Sequence, residues 1–114
     1  MKVDLIEELE LLLHNMLEFQ ELANDGENPH EELIFEFKTE SLAFIEDALE
    51  TEVKEDFLAL VEIYVLLINR INEESDYELI ETDEREQLYQ FIINVGLARG
   101  FEFNYDITEE YREW

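Results

Sequence analysis

The run at residues 57–71, FLALVEIYVLLINRI, is apolar around most of a helical circumference. With about 100° between successive residues, Val53, Phe57, Leu60, Val61, Tyr64, Leu67, Ile68 and Ile71 fall on one arc. That is the i, i+3, i+4, i+7 spacing of a buried helix face. Leu58 and Val65 widen the arc, and Ala59 and Leu66 interrupt the opposite side. Only Glu55, Glu62 and Asn69 are left as a narrow polar back. A helix of this kind is stable only when other elements cover it, so the rest of the chain is expected to pack around it.

Three further helices are legible. Over residues 3–24, Leu5, Leu9, Leu12, Met16, Phe19 and Ala23 make an apolar face, with Glu7, Glu10, His14, Glu18 and Glu21 opposite. Asn24-Asp25-Gly26 supplies the stop. Asn28-Pro29-His30-Glu31 then reads as a start signal, with Asn28 at the N-cap, Pro29 at the first helical position and Glu31 closing a capping-box-like arrangement. The second helix is expected to run to residue 49, with Ile34, Phe37, Ser41, Phe44, Ile45 and Ala48 in register. A short strand over 33–38, with Thr39 capping a later helix, competes with it. Thr51 is expected to cap the central helix, Ser75-x-x-Glu78 one short turn, and Asp83-x-x-Glu86 a fourth helix over 84–99 that stops at Gly100.

The segment 101–107 alternates Phe101, Phe103, Tyr105 and Ile107 against Glu102, Asn104 and Asp106, which is strand periodicity. It is expected either to pair with 77–81 or 33–38, or to lie as an extended flap. Thr108 would cap a final turn, with Tyr111 and Trp114 packing back. The fold class is therefore mainly α: one four-helix bundle-like domain over 1–114, with a short C-terminal strand or extended flap. A chain of 114 residues, 46% apolar, has enough material for one core without staples.

Charge limits function more than any motif does. Asp and Glu number 32 against 7 Lys and Arg, a net charge of −25, and the excess is spread along the whole chain. Like charges one helical turn apart each destabilise a helix by about 0.2–0.5 kcal/mol, so a fold that carries this many is expected to use its field. Nucleic acid is excluded as a direct ligand, because binding it depends on Lys and Arg displacing counterions. A membrane span is not expected, since the 57–71 run falls short of about 20 residues. Asp4, Glu7 and Glu8 stand where a secretory leader needs apolar residues. The absence of Cys rules out disulfides and thiolate chemistry, and the chain is expected to be cytoplasmic.

Enzymatic chemistry finds little support. The three Gly do not make a phosphate-cradling loop, and no nucleophile elbow or zinc motif occurs. Glu10-His14-Glu18 reads as a solvated helix face. Asn24-Asp25-Gly26-Glu27 lacks the order of a calcium loop, and Glu62 reads as an exposed or rim acid. No catalytic residue, cofactor or metal is assigned.

The expected work is binding. Glu7, Glu10, Glu18, Glu21 and Asp25 make one carboxylate row, and Glu32, Glu36, Glu40 and Asp47 a second. Carboxylates one turn apart are spaced by about 6 Å, broadly like a run of phosphates. Such rows would attract a basic protein, a nuclease or DNA-binding protein above all, and Tyr77, Tyr111 and Trp114 would add aromatic anchors. In this small, helical, acidic character the chain resembles two classes: DNA-mimic inhibitors carried by phages against restriction or CRISPR enzymes, and immunity proteins that block nuclease toxins. The resemblance is one of composition and carries over no residue. A second reading rests on the fourth helix. It holds no acid between Glu86 and Glu102, so it is either a second core helix or the contact of a helical assembly subunit or homodimer.

Overall fold

The computed structural model describes residues 2–114 and contains four helices: α1 Lys2–Ala23, α2 Glu31–Leu49, α3 Lys54–Glu74 and α4 Thr82–Ala98. They form a four-helix bundle-like domain with no strand among the described residues. α2 packs against each of the other three helices, and α1 against α2 and α4. Both α2 and α4 thus touch every other helix, α4 meeting α3 where Gly96 closes on the Phe57 ring.

Residues 33–38 are helical. The core face of α2 runs Ile34, Phe37, Ser41, Phe44, Ile45, Ala48, and strand alternation would have put Phe35 rather than Ile34 inside. Phe35 instead points outward. The segment 101–107 is the extended flap. Phe101 and Phe103 pack their rings on Phe57 at 5.7 and 6.0 Å, Ile107 is buried, and Tyr105 stands in solvent.

Aromatic side chains tie α2, α3 and α4 together. Phe44 stacks on Tyr64 at 4.2 Å with planes 2° apart, and the Tyr64 hydroxyl meets the Ser41 hydroxyl at 2.6 Å. Burial pushes the Tyr64 hydroxyl well above its ordinary pKa, so the pair stays neutral and hydrogen-bonded. Each ring so buried contributes about 1.5–3 kcal/mol. Gly96 lets α4 close on this cluster: a Cβ there would stand 3.0 Å from Cε2 of Phe57.

The helix ends differ from the sequence expectation. Asn28 does not cap α2; its Oδ1 accepts the His30 N–H at 3.3 Å within the preceding turn, and α2 begins after His30 without a side-chain cap. Pro29 therefore sits in that turn rather than in the helix. Thr51 closes α2 instead of opening α3, its hydroxyl donating to the Ala48 carbonyl at 2.6 Å, and Val53 precedes α3. Asp83 lies inside the first turn of α4, whose N-cap is Glu81. Asp106, not Thr108, organises the last turn, since its Oδ1 accepts both the Thr108 N–H and hydroxyl. The stops are as expected. Gly100, at φ 79°, donates to the Leu97 carbonyl while Phe101 donates to Gly96, a Schellman ending.

Candidate partner-binding surface

α3 is apolar around nearly its whole circumference, yet the fold leaves one strip of it uncovered. Ile63 is 66% exposed and Leu66 50%, and Ala59 stands beside them. Of the expected polar back, Glu55 is exposed, Glu62 half-buried and Asn69 covered. Asn69 is buried under the C-terminal segment, donating to the Tyr111 carbonyl at 2.7 Å and accepting the Glu113 N–H at 3.0 Å. The apolar strip opens into a shallow groove between α2 and α3, about 110 Å³ in volume, with Ala43, Phe44, Leu60, Ile63, Tyr64 and Leu67 along it. Glu40 and Asp47 edge the groove, and beyond it Glu50 and Asp56 continue the edge past Leu60.

The two expected carboxylate rows do not merge. Glu7, Glu10, Glu18 and Glu21 are exposed along the outside of α1, and Asp25 in the turn that follows it. Glu10 reaches the α1–α2 groove and Glu18 the α1–α4 groove. The second row turns the other way, toward α3: Glu40 and Asp47 edge the α2–α3 groove, and Glu36 pairs with Arg70 of α3. Phe35 and Lys38 lie on the side of α2 that faces α1. Glu32 is exposed near the start of α2.

The aromatic anchors separate as well. Tyr77 is exposed, on a loop where it and Asp76 both hold positive φ, 64° and 57°. Tyr111 and Trp114 are half-buried against the core rather than free, because the Asn69 bonds draw the tail onto α3. The Arg112 guanidinium lies over the Trp114 ring at 5.5 Å. Burial, with Glu110 and Glu62 nearby, pushes the Tyr111 hydroxyl up in pKa.

Most of the scarce positive charge is already partnered within the chain. Lys2 pairs with Glu46, Lys54 donates to the Glu102 carbonyl and Arg70 joins Glu36 and Glu74. Arg99 donates twice to the Thr51 carbonyl, and Arg112 pairs with Asp106. The carboxylates at the groove edges are left without matching cations among the groove-lining residues, Lys38 in the α1–α2 groove excepted.

Two larger grooves flank α1. The α1–α4 groove, about 510 Å³, carries Glu18, Asp83, Glu84 and Glu86 around Phe19 and Leu22. Glu84 is buried there, and desolvation, with Asp83 and Glu81 close by, raises its pKa. The α1–α2 groove, about 420 Å³, is more apolar and contains Leu13, Leu17, Ile34 and Phe35 beside His14 and Lys38. Among the described residues no three His, Asp or Glu side chains converge as a metal site, and no helix is long and apolar enough to cross a membrane.

The acid-free stretch of α4 is turned inward. Leu88, Phe91, Ile92 and Val95 are buried in the core. Asn94 donates to both carboxylate oxygens of Glu8 on α1, at 2.9 and 3.1 Å, and accepts from Gln90. Asn94, and Gln87 in the α1–α4 groove, thus face α1.

Sequence reasoning missed Ile63 as a surface residue; Leu60 and Leu67, placed in the buried arc, pack half-buried against the core and also line the groove. The available signal was the excess itself: α3 has more apolar residues than one buried face needs. No protein-family model matches this chain, and no curated protein or solved structure is significantly similar to it.

Proposed function

We propose that this protein is a non-enzymatic acidic binding protein that antagonises a basic, nucleic-acid-binding partner such as a nuclease. The observation that supports this reading is the coincidence, along α2 and α3, of exposed apolar side chains with an edge made only of carboxylates. Isolated surface apolar residues are ordinary, but an apolar strip bordered by uncompensated charge has the layout of an interface core and rim. The rim charge would speed encounter with a basic protein, and the apolar centre would hold the complex once formed. Carboxylates at the rim would then occupy the Lys and Arg that otherwise hold phosphate.

Affinity capture from native lysate at about 50 mM NaCl, followed by a step to about 500 mM, tests this. A basic nuclease or DNA-binding protein released by the salt step, and inhibited when the purified pair is mixed, is the expected result. Recovery of no basic protein at low salt, or a complex indifferent to salt, overturns it.

A further inference from the structure

We infer that the α2–α3 groove is the docking site for a basic amphipathic helix of the partner; this rests on the function proposed above. The α2–α3 groove and its continuation past Leu60 involve α3 residues 56–67, about three helical turns. Ala43, Leu60, Ile63 and Leu67 give it an apolar lining, and the Phe44–Tyr64 stack lies beneath. Glu40 and Asp47 stand on α2, and Asp56 on α3 extends the acidic edge.

The occupant follows from three features. An extended peptide would need a sheet edge to complete its backbone hydrogen bonds, and the described residues contain no strand. A helix satisfies its own backbone and presents side chains at i, i+4 and i+7, the spacing that a groove between two helices accepts. A second copy of this chain would bring −25 of the same sign to the acidic edge, so repulsion disfavours it. Lys and Arg flanking the apolar face of a partner helix would instead meet Glu40, Asp47 and Asp56.

The test titrates the isotope-labelled intact protein with a synthetic leucine–lysine helix of about 18 residues, its leucines on one face, and with a scrambled peptide of identical composition. Amide shifts are expected to concentrate on Ala43, Leu60, Ile63 and Leu67. The scrambled peptide and the Ile63→Arg variant are each expected to weaken binding by about tenfold or more. Asp47→Lys, at an exposed position on the other helix, should weaken it several-fold and lower its salt dependence, and serves as the second variant should Ile63→Arg unfold. Leu22→Arg, in the α1–α4 groove, should leave affinity unchanged. Shifts centred on either α1 groove, or equal binding by the scrambled peptide, would overturn the assignment. If those results accompany salt-released capture of a basic protein, the groove is wrong and the proposed function stands. If the ordered helix seats in the groove but no basic protein is captured, the groove stands and the function falls.

Discussion

Asn69 holds Tyr111 from the C-terminal half of α3. Its amide nitrogen donates to the Tyr111 carbonyl at 2.7 Å, while its oxygen accepts the Glu113 N–H at 3.0 Å. One side chain therefore satisfies two main-chain groups of a segment that has no sheet to join. Replacing Asn69 by Leu leaves both without a partner, at about 1–3 kcal/mol. The expected outcome is a lower urea midpoint together with a red-shifted emission from Trp114, the sole tryptophan, as the tail loosens.

At Tyr77 the backbone is held where L side chains are disfavoured. Asp76 and Tyr77 follow α3 with φ of 57° and 64°, and the Tyr77 N–H closes the helix on the Asn72 carbonyl at 2.7 Å. A non-glycine residue in this region costs about 1–2 kcal/mol, partly offset for glycine by its greater chain entropy when unfolded. Tyr77→Gly is expected to raise stability by about 0.5–1 kcal/mol in denaturant melts. Because Tyr77 is exposed, the same variant measures any contribution of this side chain to partner affinity.

Glu84 makes stability depend on pH in a defined direction. It is 4% exposed, and its pKa is raised chiefly by desolvation and then by Asp83 and Glu81, against the pull of backbone hydrogen bonds. The folded state therefore keeps the proton at pH values where the unfolded chain has released it. The resulting stabilisation is complete below the unfolded carboxylate pKa and is lost as pH rises through the folded value. Glu84→Gln should be more stable than the parent at about pH 7, with the difference shrinking toward about pH 4. Paired melts across that range read it directly, and a constant difference would contradict it.

Gly96 is where α4 admits the Phe57 ring. A Cβ would lie 3.0 and 3.1 Å from two ring carbons, and the ring has little room to retreat among Phe44, Phe101 and Phe103. Gly96→Ala is expected to destabilise the fold by about 1–3 kcal/mol. Helix propensity alone would predict a gain of about 1 kcal/mol, so the sign of the change in a chemical melt decides between the two.

Periodicity by itself determined that there are four helices, nearly where they begin and end, and which face of α2 is buried. Side-chain spacing reports this because a helix brings residues i, i+3 and i+4 together whatever its neighbours are. The charge is equally a property of composition alone. What only the tertiary structure decided is which side of each helix remains outside. The wheel of α3 offered Glu55, Glu62 and Asn69 to solvent with Ala59 and Leu66 among them, but the tail found in Asn69 a partner for its backbone and covered that edge, so the open strip is displaced toward Ile63 and Leu66. The two carboxylate rows diverge for a related reason: α2 turns Glu40 and Asp47 toward α3, and the rotation of one helix against another is set by packing between them, which no single helix encodes.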